Sequence, residues 1–288
     1  MSEFQVRSRR VGLPSRGGES ALLDIGPPER PVDLVFSHAN GFNARTYLSI
    51  LGPLAATRRI LMVDQRGHGQ SGLAADLSPD RASWQDLADD LIALLEAEDL
   101  RNVVLSGHSM GAAISLVAAP DVSERVSGLV LFDPVIMGPD FKPVTSPEAG
   151  ETNPMVQAAL RRRSTFPSRA DVIQAYTGRG AFRSWTPTML ADYVTDGVRE
   201  TATGEVELTC LPAWEASNFN TANLGPWSAF AGISAPIRLF KADVGSTCRT
   251  DGHEDKLLAR GNVKIETVHG SSHFLPMERP DLVRAALS

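Results

Sequence analysis

A chain of 288 residues suits one large domain, or one domain carrying an insertion. With 42% hydrophobic and 22% charged residues it has the balance of a globular protein, and a net charge of −6 leaves no basic footprint for nucleic acid or anionic lipid. Two cysteines, Cys210 and Cys248, make neither a disulfide framework nor a zinc pair, no apolar run approaches the ~20 residues of a membrane span, and "MSEFQVRSRRVGLPSRGG" lacks a signal peptide's apolar stretch, so a cytoplasmic protein is expected.

In chain order, "FQVRSRRVGL" and "SALLDIG" read as two early strands. "VDLVFSH" (32–38) and "RILMVD" (59–64) are short runs of the kind that form buried strands. "SWQDLADDLIALLEAE" (83–98) places Leu87, Leu91, Leu94 and Leu95 at helical spacing, with Ser83 as the expected N-cap. "NVVLSG" is β-branched and apolar, and "MGAAISLVAAP" is Ala-rich and helical up to Pro120. "VSGLVLFDP" is again a buried strand, and later come "APIRLFKAD", "GHEDKLLAR", "NVKIETVH" and "PDLVRAAL" as strand, helix, strand and helix. Such alternation predicts an α/β fold whose parallel sheet is covered on both faces. Residues 134–230, crowded with prolines at the start and holding Trp185, Trp214 and Trp227, break the rhythm. They are expected to form a helical cap inserted into a core of 1–133 and 231–288. An exposed cap helix could join two copies as a homodimer.

The chemistry centres on "GHSMG" at 107–111. A serine hydroxyl is a poor nucleophile at neutral pH and needs a base, a group to orient that base, and donors for the developing oxyanion. The strand, turn and helix around Ser109 supply the sharp elbow on which such a serine sits. In that architecture the order runs nucleophile, acid, histidine. Of His38, His68, His108, His253, His269 and His273, only a late one fits, which favours His273 over His269.

Four stretches in order, "FSHANGF", "DQRGHGQSG", "GHSMG" and "GSSHFLPMERP", resemble the α/β-hydrolase superfamily over almost the whole chain outside the cap. That resemblance implies an α/β-hydrolase core, a mostly parallel central sheet flanked by helices, with an inserted helical cap. It also implies an acid after "PIRLFKAD", but there "KADVG" puts Gly245 where the carboxylate is usual and Asp243 two residues early. Some haloalkane dehalogenases carry the acid one strand earlier, which corresponds here to Asp133. Asp133 is therefore the expected triad acid and Asp243 the alternative. The oxyanion hole should combine the amide of Met110 with that of Asn40, with Gly41 or Phe42 as further choices. His38, Phe42, His108 and Trp214 are candidate pocket residues, although tryptophans of the insertion could equally pack cap on core. Arg161, Arg162 and Arg163 read as a solvated helix face, with recognition of an anionic substrate as the lesser alternative.

The expected function is a serine esterase, acting on a carboxylic ester, thioester or lactone without metal or organic cofactor, its partner a small-molecule acyl substrate. Epoxide hydrolases and haloalkane dehalogenases of this fold carry aspartate at the elbow, so Ser109 argues against them. A carbon–carbon bond hydrolase, a cofactor-free haloperoxidase-like enzyme and a non-catalytic small-molecule receptor of the same fold remain as alternatives.

Overall fold

The structure, a computed structural model, describes residues 4–78, 81, 83–139, 153–221 and 225–288. Part of the expected cap, 140–152 and 222–224, lies outside the described residues. The core strands are β1 (Val6–Leu13), β2 (Gly18–Ile25), β3 (Leu34–Ser37), β4 (Ile60–Asp64), β5 (Val103–His108) and β6 (Val126–Phe132), then, after the insertion, β10 (Ile237–Val244) and β11 (Val263–Ser272). They form one eight-stranded sheet in the order β1-β2-β4-β3-β5-β6-β10-β11. β1 and β2 run antiparallel at one edge, and every pairing from β4 to β11 is parallel.

The apolar runs are continuous because both faces of the sheet are buried. Val35 and Leu61 point into one core, while Leu34, Phe36, Ile60 and Met62 point into the other. Full burial of each such side chain stabilises the fold by about 1.5–3 kcal/mol. The first crossover, unassigned from sequence, contains a 3-10 turn (Ala44–Tyr47) and a single-turn helix, α1 (Leu48–Leu51). Asn43 closes a capping box there with Thr46. α2 (Gln85–Ala97) buries Leu87, Leu91, Leu94 and Leu95, as its spacing predicts. Its N-cap is Trp84 rather than Ser83, whose hydroxyl accepts from the Gln85 amide at 3.2 Å. α3 (Met110–Ala118) follows β5 directly.

Between β6 and its sheet neighbour β10 the chain makes a long excursion. Its described helices are α4 (Pro154–Leu160), α5 (Arg169–Tyr176), α6 (Pro187–Gly197), α7 (Pro212–Asn220) and α8 (Pro226–Gly232). A three-stranded antiparallel ribbon, β7 (Thr165–Phe166), β8 (Val198–Glu200) and β9 (Val206–Leu208), was not expected from sequence. Strands of two or three residues are too short to show a period of two. The excursion is tied to the core next to "HANGF": Asn43 Nδ2 donates to Tyr193 O at 2.9 Å and Arg45 pairs with Asp196 at 2.6 Å.

Candidate active site

Ser109 stands between β5 and α3 with φ 57° and ψ −118°, a strained backbone for a residue with a side chain. The elbow is held from both sides. Ser109 donates its amide to Phe132 O at 3.0 Å and accepts on its carbonyl from Val135 N at 3.3 Å. Glycine is needed at both ends because α3 starts hard against β3. A Cβ on Gly107 would lie 2.6 Å from Ser37 O, and one on Gly111 would collide with the Ser37 and His38 carbonyls.

His273, on the turn after β11, brings Nε2 to 2.9 Å from Ser109 Oγ. Its Nδ1 lies 2.6 Å from Asp133 Oδ2. Asp133 follows β6 and is fully buried, with a left-handed φ of 42°. Burial pushes its carboxyl up, but the hydrogen bond and charge of His273, with donors from Ala242 and Ser246, outweigh it and hold the group below its ordinary value. Oδ1 accepts from Ala242 N at 2.8 Å and Ser246 Oγ at 2.5 Å, and Oδ2 accepts from Thr247 N at 3.0 Å. The loop that could have carried an acid instead wraps Asp133 in donors. A carboxylate accepting at His273 Nδ1 fixes the proton there and leaves the Nε2 lone pair facing Ser109. Asp243 is not part of this line. It accepts from Gly270 N at 3.0 Å and lies 3.7 Å from the exposed His269.

The oxyanion-side loop is equally specific in its bonding. Ala39 N donates to Tyr47 Oη at 3.2 Å, Gly41 N to His68 Nε2 at 3.2 Å and Phe42 N to Ala39 O at 3.1 Å. The amides of Asn40 and Met110 have no partner among the described residues. The Asn40 side chain is anchored to α7, donating to Glu215 O and accepting from Asn218 Nδ2, both at 3.0 Å.

Three of the expected pocket residues serve as braces. His108 is fully buried; Tyr47 Oη lies 2.8 Å from its Nδ1, and its Nε2 lies 2.7 Å from His273 O. A carbonyl can only accept, so His108 Nε2 carries the proton and Nδ1 accepts from Tyr47. Burial and the neighbouring His273 push its pKa down to about 3, so it stays neutral. His38 accepts from Gln65 N at 3.1 Å, and Trp214 donates from Nε1 to Arg66 O at 2.8 Å beneath Arg81. Both side chains are sealed, at 0% and 1% exposure, and offer no open face to a ligand. Phe42 does join an aromatic wall, with ring centroids 5.0 Å from Trp185, 6.1 Å from Tyr193 and 6.3 Å from Phe274, the residue after His273. Tyr47 was missed because nothing in its local sequence marks it, whereas Trp185 is one of the tryptophans of the insertion already singled out from sequence. Both thiols are buried and unpaired, and burial pushes that of Cys248 up to about 12. No described helix is long and apolar enough to cross a membrane.

The fold agrees with what comparison with known proteins shows. The chain belongs to the alpha/beta hydrolase family, whose model matches residues 34–286. Among curated proteins it is similar to the dihydrolipoyllysine-residue acetyltransferase component of the acetoin cleaving system of Pseudomonas putida, 37% identical over 98 residues, covering 34% of this chain and 25% of that protein. It is also similar to 3-oxoadipate enol-lactonase 1 of Acinetobacter baylyi, 27% identical over 106 residues, covering 37% and 38% of the two chains. The chain thus spans well under half the length of either. Among solved structures it resembles E-2-(acetamidomethylene)succinate hydrolase, with a TM-score of 0.77, 19% identity and 98% of both chains covered. The thioesterase domain from the curacin biosynthetic pathway follows at a TM-score of 0.76 and 19% identity, covering 98% of this chain and 99% of that one. At such identities these structures share the fold alone.

Proposed function

We propose that the protein is a serine hydrolase that cleaves a carboxylic ester or a related acyl bond, a thioester or lactone, through an acyl-enzyme. The observation that carries the reading is the unbroken contact from Ser109 Oγ through His273 to Asp133, at 2.9 and 2.6 Å. His273 Nε2 takes the Ser109 proton as Oγ attacks the carbonyl carbon. The oxyanion then lies against the amides of Asn40 and Met110, the latter at the start of α3, where backbone N–H groups favour negative charge. His273 returns the proton to the leaving group, and a water deprotonated by the same ring releases the acid and restores Ser109. Asp133 holds the tautomer and stabilises the imidazolium. The excursion between β6 and β10 acts as the cap, and its α7 pins the oxyanion loop through Asn40. A lactonase among the similar proteins supports acyl cleavage as the reaction class.

The test is turnover of p-nitrophenyl esters from acetate to octanoate by the wild type and Ser109→Ala in parallel. A burst and steady turnover that vanish in Ser109→Ala are expected. Turnover that persists in Ser109→Ala would remove the serine from the mechanism, and none in either protein would leave acyl cleavage without support.

A further inference from the structure

The aromatic wall beside Phe42 ends in an excess of hydrogen-bond donors. Arg162, just after α4, was expected on a solvated face with Arg161 and Arg163, and those two are exposed. Arg162 instead turns inward. It donates from Nε to Tyr176 Oη at 3.2 Å, from Nη1 to Glu215 Oε2 at 2.7 Å and from Nη2 to Tyr193 Oη at 2.7 Å. Burial works against its charge, but Tyr193, Glu215 and Tyr176 outweigh it and hold the guanidinium protonated. A guanidinium has five N–H groups, so two are left over, and each tyrosine whose oxygen accepts still has a hydroxyl proton to give. Trp185 adds a buried Nε1–H with no partner among the described residues.

An orphaned buried donor costs about 1–3 kcal/mol, so such a group calls for an acceptor. One acceptor on this wall is Glu215 Oε1. It is turned onto Gly41, where a Cβ would come within 2.6 Å of it. The Arg162–Glu215 pair is not sealed: 17% and 13% of the two side chains remain accessible. The location ties this cluster to the reacting atoms. Gly41 adjoins Asn40, and the Phe42 ring neighbours both Phe274, beside His273, and Tyr193, on which Arg162 bonds.

We propose that Arg162 and Trp185 form a recognition subsite for a carboxylate at the far end of the acyl chain, so that the preferred substrates are half-esters of short dicarboxylic acids. A carboxylate offers about four lone-pair sites and no donor, which complements a wall rich in donors and short of acceptors. The inference rests on the serine-hydrolase reading for its kinetics, but its binding arm does not.

In the kinetic arm, kcat/KM is measured by pH-stat for monomethyl succinate, glutarate and adipate against methyl esters of the neutral acids of matched length. The wild type should favour the half-esters by about tenfold or more, the worth of one charge-assisted hydrogen bond. That ratio should collapse in Arg162→Gln, chiefly through KM, and fall partway in Trp185→Phe. The Arg162→Gln/Glu215→Gln double variant avoids stranding a buried carboxylate and should lose the ratio equally. In the binding arm, Ser109→Ala is titrated calorimetrically with glutarate and with neutral glutaramide. Glutarate should bind more tightly, and this preference should disappear when Arg162→Gln is added. A wild type that prefers neutral esters, a ratio that survives Arg162→Gln, or equal binding of the two probes overturns the subsite. If no ester is turned over while glutarate still binds through Arg162, the hydrolase reading fails and the subsite stands.

Discussion

Replacement of Asp133 by asparagine tests the geometry most directly. The wild-type carboxylate faces donors on both oxygens: Ala242 N and Ser246 Oγ on Oδ1, His273 Nδ1 and Thr247 N on Oδ2. An amide must put its NH2 against one of these sets. On either side the NH2 meets a backbone N–H that cannot turn away, Ala242 N or Thr247 N, and in the place of Oδ2 it also faces His273. Nδ1 must then accept, which moves the ring proton to Nε2 and aims it at Ser109 Oγ, the wrong tautomer for a base. The change is nearly isosteric, so it leaves the packing but removes the base. By analogy with the same substitution in a Ser-His-Asp protease, kcat should fall about 10⁴-fold, or about 5.4 kcal/mol in the barrier. Lost and mismatched hydrogen bonds should lower stability by about 1–3 kcal/mol. The assay is steady-state hydrolysis of p-nitrophenyl acetate beside a urea unfolding curve, with Asp243→Asn as the control. Among the described residues Asp243 touches Gly270 N and the neighbourhood of the exposed His269, so its variant should stay within about twofold of wild type. Asp133→Asn within tenfold of wild type, or a large loss in Asp243→Asn, would refute the assignment of the acid.

Two further outcomes follow from buried groups. His68 titrates down at about 4, through burial, and His108 at about 3, through burial and His273, while burial and His68 push His38 well below its ordinary value. Below pH 6.5 the unfolded chain protonates all three and the folded one does not, so stability falls as pH drops from 6.5 toward 4. Asp64 works the other way: burial raises it to about 7, so below that pH the folded state takes up a proton that the unfolded state accepts only near 3.8. The net is close to two more protons on the unfolded chain, a slope of about 2–3 kcal/mol per pH unit between pH 6 and 5, read from urea midpoints. A flat or rising stability on acidification would contradict it. Gly111→Ala drives a Cβ into the Ser37 and His38 carbonyls, which are backbone and cannot rotate aside. It should cost about 3 kcal/mol in unfolding free energy and displace Ser109, which paired denaturation and esterase measurements would show.

The core strands could be read from sequence because a sheet buried on both faces leaves uninterrupted apolar runs, as in "ILMVD" and "GLVLF". The elbow was legible because a strained turn packed against a strand tolerates only glycine at 107 and 111, and His273 because of its place after the last strand. The crossover turns at 44–56 and the two- and three-residue strands of the excursion are too short to leave a periodicity. Sequence alone thus determined the α/β-hydrolase core, the order of its elements and the residues that stand at the ends of its strands. The tertiary structure decided which way side chains turn. Asp133 rather than Asp243 meets His273, His108 and Trp214 become sealed braces, and Arg162 points inward while its neighbours face water. The reason is physical: a residue's partners across 53 to 165 positions of chain are set by how layers pack, which neither local propensity nor spacing encodes.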